Sequence, residues 1–308
     1  MASLSKDPAA RAPTCCAVLE PGAAHASRLA APTASRKFAA TRTRIWKPAG
    51  IAAIVFLILG GLVYGGHCLL RHLPWGRIGA SGGVQLWEEG PYWAECNVGA
   101  MKPEESGYYF WWGDTVGYVR KGGALRGDSY EGVIWVSGAG ARMDNSPFDK
   151  ANCPTFDKDD EKLLSAGYVE AKRNSWKALL NVHLAVGHDA ATEHLGAPWR
   201  MPTGEELRAL QKNCDGKWTT HNGVPGMLMT GRGVFSTKNI FLPAAGLGDG
   251  NSLDWVDGRP RGCYWSASTS SSCGVSCLTF YDGICFAVGN DTRRCFGKPV
   301  RPLRDSAR

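Results

Sequence analysis

Trp199-Arg200-Met201-Pro202-Thr203-Gly204-Glu205-Glu206-Leu207 is the stretch on which the fold turns. Thr203 and Glu206 have the spacing of a capping box, in which the hydroxyl accepts the N–H three residues on and the carboxylate reaches back to the Thr203 N–H. A helix therefore begins at Thr203. Leu207 and Leu210 fall on its buried face, and Lys212 lies near its end, where the helix dipole favours a cation. Glu205 and Glu206 have no partner carboxylate to divide acid and base roles with, so they are read as structural.

Outward from this helix the chain reads as short strands and turns. On the N-terminal side, Gln85-Leu86-Trp87, Tyr92 to Ala100 and Glu104 to Asp114 are aromatic runs cut by Gly and Pro. Tyr108 to Trp112 resembles a carbohydrate-stacking platform, but two faces of one strand must bury some of these rings, so packing is the expected role. On the C-terminal side come Trp218, Gly223-Val224-Pro225-Gly226, Met227 to Gly231 and Asn239 to Gly246.

Two polar clusters invite a metal. Asp157, Asp159, Asp160 and Glu161 precede Leu163, Leu164 and Tyr168; they suit the first turn of a helix, and no Gly stands where a calcium loop needs its sharp turn. His188 and His194 are six residues apart, whereas a zinc pair on one helical face is spaced by four. With Asp189 they are expected to cap and pack a short helix ending at Gly196. No catalytic residue, metal or cofactor is assigned.

The chain has 308 residues and 44% apolar composition, enough for one or two packed domains. Thirty-nine Gly, 12 Trp and only 20% charged residues argue against a helical bundle. The net charge of +7 is concentrated at one end: residues 1–47 hold eight basic residues against two acidic ones. The rest is nearly neutral, which excludes nucleic acid as the main partner.

This distribution divides the chain. Residues 1–47 read as a disordered basic tail. Residues 48–70 contain no Asp, Glu, Lys or Arg and centre on Ile51 to Leu59, so a transmembrane helix or long signal sequence is expected, through which the chain meets the membrane. The preceding positive charge keeps the N-terminus cytoplasmic and exports the C-terminal domain to the periplasm or cell surface. Residues 71–83 are a linker, and residues 84–305 form one domain. Eight cysteines lie in that domain, an even number that suits disulfides in an oxidising compartment.

Asn97-Val98-Gly99-Ala100 with Tyr108 to Asp114, Trp199 to Thr203, Ile240 to Gly246, Tyr264-Trp265-Ser266 and Val300-Arg301-Pro302 follow one another as five ordered blocks. In these blocks the domain resembles the Fibrobacter succinogenes major paralogous domain family, bacterial surface domains related to the C-type-lectin-like and sulfatase-modifying-factor folds. The resemblance implies an α+β fold: a C-type-lectin-like domain with two helices and small antiparallel sheets, here preceded by a single transmembrane helix. It implies no defined activity. The copper-binding cysteine motif of the sulfatase modifiers has no match around Cys273 and Cys277, and Asn290-Asp291 is only a faint echo of a calcium-lectin motif.

Function is expected in the C-terminal window. From Cys263 to Gly297 there is no Lys, Glu, Gln, Met, His or Pro, while Ser occurs six times and Cys five times. Lys, Glu, Gln, Met and Trp supply 46 of the 308 residues, yet only Trp265 represents them in this window. Codons ending in C cannot encode those five, and the bias looks like adenine-directed diversification by a retroelement. The competing reading is a Ser- and Gly-rich loop closed by a disulfide such as Cys273 to Cys285. Under either, irregular segments rich in Ser, Tyr, Asp and Arg have the chemistry of a binding surface. The expected contacts are Ser268, Ser270, Ser271, Tyr281, Asp282, Phe286, Asn290, Asp291, Arg293 and Arg294. Alternation turns Leu278, Phe280 and Val288 toward the core instead. The expected function is a membrane-anchored surface domain that binds a protein or glycan ligand on a cell surface. The alternatives are a structural envelope protein without a ligand and a copper-dependent cysteine oxidase.

Overall fold

Short aromatic and β-branched runs punctuated by glycine build strands too brief to stand alone. The computed structural model describes residues 82–306, except 128, 174–178, 255–258, 271–273, 283 and 292. The strands among them begin with β1 (Val84–Gln85), β2 (Tyr92–Trp93), β3 (Tyr118–Arg126), β4 (Ser129–Ser137), β5 (Val169–Arg173) and β6 (Leu179–Leu184). They continue with β7 (Cys214–His221), β8 (Val224–Gly231), β9 (Asn239–Pro243), β10 (Leu247–Asp249) and β11 (Ser252–Asp254). The last are β12 (Arg261–Thr269), β13 (Val275–Tyr281), β14 (Ile284–Asp291) and β15 (Leu303–Arg304). Three α-helices are described: α1 (Asp160–Ser165), α2 (Ala190–Leu195) and α3 (Gly204–Asn213).

The strands form four antiparallel sheets, ordered β1-β2-β15, β10-β11-β4-β3, β14-β13-β12-β6-β5 and β7-β8-β9. The middle strand of the first, β2, pairs with β1 and with β15 from the end of the chain, so the domain is closed by its own termini. The β7–β8 hairpin turns through Asn222 and Gly223, both left-handed (φ 47° and 83°), as a two-residue turn matched to strand twist demands.

This architecture corrects the expected fold class. Among the described residues strands make up 41% and helices 16%, so the domain is mostly β-sheet rather than a two-helix α+β arrangement. Helix starts carry capping signals that stand out in sequence, whereas β7, with its Asp-Gly-Lys and Thr-Thr runs, shows no apolar alternation, so the short strand and turn signals around Trp218 understate an eight-residue strand. No helix among the described residues is long and apolar enough to cross a membrane, which leaves the expected preceding transmembrane helix unsupported. Residues 48–70 themselves, like the tail before them, lie outside the described residues.

The local helix signals are realised. Asp159 caps α1 by accepting from the Lys162 N–H, Asp189 caps α2 by accepting from the Thr192 N–H, and both halves of the Thr203/Glu206 capping box form. Leu207 and Leu210 are buried beneath α3. His188 Nδ1 lies 3.2 Å from the Gly113 carbonyl and His194 Nε2 lies 2.9 Å from the Thr115 carbonyl, so both rings tie the α2 region to the preceding loop.

Tyr109, Phe110 and Trp112 are buried, as packing required. The Trp112 indole N–H donates to the Ser266 carbonyl and the Trp265 indole N–H donates to the Phe110 carbonyl, at 2.9 and 2.8 Å. These reciprocal bonds stitch the aromatic run onto β12, so two indoles enter the core with their polar atoms satisfied.

Candidate functional site

The C-terminal window folds as the meander β12-β13-β14, three strands of the five-stranded sheet, with β14 at the sheet edge. Its floor is buried on both faces: Cys263 to Ala267 in β12, and Val275 to Leu278 and Phe280 in β13, are all inaccessible. Gly262 makes room for this packing, because a Cβ there would come within 2.0 Å of the Phe280 ring. Leu278 and Phe280 face the core as alternation predicted, and Val288 packs partly against it.

The ten expected contact residues do not form one surface. Ser268 is 7% exposed, and its hydroxyl accepts the Gly204 N–H at 3.0 Å and meets His183 Nδ1 at 2.9 Å. It pins the N-terminus of α3 to the sheet and is closed to a ligand. Ser270 sits just beyond β12, where its N–H donates to the Gly274 carbonyl at 3.1 Å and its hydroxyl is buried without a hydrogen-bond partner among the described residues. Ser271 lies outside the described residues, as do the side chains of Phe286, Asn290 and Asp291; Asn290 and Asp291 stand in β14 opposite Ser276 and Val275.

Arg294 corrects the expectation most sharply. It is fully buried, and its guanidinium donates to the carbonyls of Thr155, Lys158 and Gly274 while lying 5.0 Å over the Trp112 ring. A guanidinium so enclosed holds loops together; it is not offered to a partner. Arg293, one residue earlier, is exposed and rests its guanidinium 4.3 Å from the Phe296 ring centre. Tyr281 is half-buried at the end of β13 and Asp282 is exposed in the turn that follows. Tyr281, Asp282 and Arg293 are therefore the expected contacts that the described surface leaves accessible.

Sequence reading missed a buried polar node that joins four of the five blocks. Arg301 donates to Asn97 Oδ1 at 2.8 Å, to the carbonyls of Ala94 and Glu95 at 3.2 and 2.9 Å, and to the Phe241 carbonyl at 2.8 Å. Asn97 in turn donates to the Tyr264 hydroxyl at 3.3 Å, which donates to the Pro243 carbonyl at 2.8 Å. Burial lowers the Arg301 pKa from its ordinary value and raises that of Tyr264. The signal available in sequence was a polar residue inside three of the apolar blocks: Asn97, Tyr264 and Arg301. Lys298 is likewise buried, its ammonium 3.7 Å over the Trp265 ring.

Asp114 is buried in the turn before β3, accepting the Val116 and Gly117 N–H groups at 2.9 and 3.1 Å. Desolvation outweighs those bonds and raises its pKa to about 6. Cys96, Cys153, Cys214, Cys263 and Cys295 carry free buried thiols and Cys277 is buried with them, and no disulfide forms among the described residues, contrary to expectation. Burial pushes the Cys295 thiol up to about 11 and Cys214 up to about 12, which removes them from thiolate chemistry near neutral pH. Cys273 lies outside the described residues, and so does the side chain of Cys285. No protein-family model, no curated protein and no solved structure matches the chain.

Proposed function

We propose that the domain is a binding module that meets a protein or glycan ligand at the rim of the β13–β14 hairpin. The observation that carries this reading is the coincidence of the biased window, Cys263 to Gly297, with one structural unit in which a buried floor supports an accessible rim. Tyr281 and Asp282 supply a ring and a carboxylate at the hairpin turn, and Arg293 a guanidinium beyond the far end of β14, so the accessible groups stand at the two ends of the hairpin, each with the area or directional polarity that a binding surface uses. A rigid scaffold presenting variable termini is the general design of such modules.

Retroelement diversification of the window belongs to this reading and gives it a sharp test. Sequencing the coding region for residues 263–297 across one population, with residues 84–262 as the internal control, should find substitutions concentrated at the codons for 281, 282 and 293. The codons for Ser266, Ser268 and Arg294 should stay constant, because changes there break buried hydrogen bonds. Equal invariance of both regions would remove diversification and leave a fixed surface.

A further inference from the structure

A second concavity lies where the aromatic run leaves the sheet. Tyr109 and Tyr118 exchange both backbone hydrogen bonds, at 2.8 and 2.9 Å, which places the Tyr109 strand against the outer edge of β3. Continued in that antiparallel register, Gly107 would stand opposite Arg120. It does not: Gly107 is left-handed (φ 70°), where a Cβ would lie 2.3 Å from the Val98 carbonyl oxygen, and the chain bends away.

Among the described residues the position opposite Arg120 is thus left open, with β3 at the edge of its sheet. Arg120 pairs with Trp135 across β3 and β4, and the Trp135 carbonyl is turned to the other side, where it accepts the Met143 N–H at 2.9 Å. This is the non-hydrogen-bonded kind of pair, so the Arg120 N–H and C=O point outward, away from β4. Beside them opens a cleft of about 620 Å³, walled by Glu104, Glu105 and Gly107 on one side, Arg120 and Tyr130 on the other, and the β7–β8 turn at Val224.

The cleft is built rather than incidental. Asn222 Nδ2 donates to Glu104 Oε1 at 3.0 Å, locking the hairpin tip onto the acidic loop, and His221 Nε2 lies 3.9 Å from Glu104 Oε2. The Arg120 guanidinium is held 4.5 Å over the Tyr130 ring, which keeps its charge on the aromatic face. Two carboxylates therefore line the same cleft as Arg120, Glu105 also accepting the Met101 N–H at 2.7 Å through Oε2.

We propose that this cleft is a binding site for an extended peptide, whose main chain pairs with Arg120 and whose Lys or Arg side chain lies against Glu104 and Glu105. This is strand addition to a free sheet edge, in which main-chain bonds give affinity and a side-chain pocket gives selectivity. It shares no residue with the β13–β14 rim and stands whether or not that rim binds.

The test uses the full-length chain and a fluorescent acetyl-Thr-Val-Lys-Val-Thr-amide probe, read by anisotropy and by hydrogen exchange over residues 118–122. Binding should slow exchange at Arg120. Methylating the probe's backbone nitrogens should weaken it about tenfold, the effect of losing a main-chain hydrogen bond. Replacing its Lys with Glu should abolish binding, and Glu105→Gln, at an exposed position, should weaken it about threefold without affecting folding. Glu104→Gln keeps an oxygen for Asn222 and serves as the second variant. Absence of binding, equal affinity of the methylated probe, unchanged exchange at Arg120, or displacement of the probe by chitotriose would overturn the proposal.

Discussion

Arg293 and Arg294 are neighbours in sequence and opposites in the folded domain. Arg294 belongs to the floor of the C-terminal meander, enclosed and bonded to three carbonyls; Arg293 belongs to its rim, exposed and resting on one ring. The same contrast separates Arg301, on four acceptors at the buried node, from Asp282 in its open turn. Charge in this domain serves two ends, and burial decides which. A buried guanidinium cannot be spared, because each carbonyl it leaves is stranded without water. An exposed one costs the fold little and is available to a ligand.

The largest effect expected is at the node. Arg301→Ala should destabilise the domain by about 3–5 kcal/mol, because it strands several buried acceptors at once. Arg294→Ala should behave similarly. Urea unfolding measures both, and a loss below about 1 kcal/mol would erase the distinction between floor and rim.

Asp114, in the turn before β3, tests by pH what burial does to a charge. Its folded pKa of about 6 lies above the usual carboxylate value, so the folded state holds the proton more tightly and stability falls as pH rises from about 4 to about 6. The full shift corresponds to about 3 kcal/mol, which Asp114→Asn should remove. Denaturation curves for both proteins at pH 4, 5, 6 and 7 should diverge over that window; parallel curves would mean that Asp114 ionises normally.

A smaller effect is expected at the cap of α3. Thr203→Ala removes the acceptor for the Glu206 N–H and should cost about 1 kcal/mol. The Ser268 contact to Gly204 holds the same helix end, so Ser268→Ala combined with Thr203→Ala should cost more than the two changes do separately. Strict additivity would show that the two anchors are independent.

The rim should be almost silent in stability. Tyr281→Ala, Asp282→Ala and Arg293→Ala should each stay within about 0.5–1 kcal/mol by the same unfolding measurement. The triple variant should nevertheless lose retention on any glycan or protein surface that holds the parent domain. Retention equal to that of the parent would move the ligand away from this rim.

What was legible in the sequence follows from the range of each interaction. The Thr203/Glu206 capping box, the acidic start of α1, the capped start of α2 and the inward turn of Leu278 and Phe280 rest on contacts within a few residues or on alternation, so spacing alone revealed them; that Asp159 is the cap of α1 rather than part of its first turn came only with the structure. The β-rich balance was harder to see, because β7 and β8 depend on pairing across a turn more than on their own apolar pattern. The candidate site was legible as a region but not residue by residue. Ser268 and Arg294 carry polar side chains in a polar-looking window, and nothing local announces that His183, Gly204, Thr155 and Lys158 converge on them.

The sequence by itself determined where the helices start, which strand positions turn inward and where composition departs from the rest of the chain. Only the tertiary structure decided that Asn97, Tyr264 and Arg301 share one buried node, that Arg294 is a strut while Arg293 is surface, and that Gly107 bends the chain off β3 to open a cleft. The reason is physical: a side chain's polarity is fixed by its atoms, but its exposure and its partners are set by chain segments up to about two hundred residues away, which meet only when the sheets close.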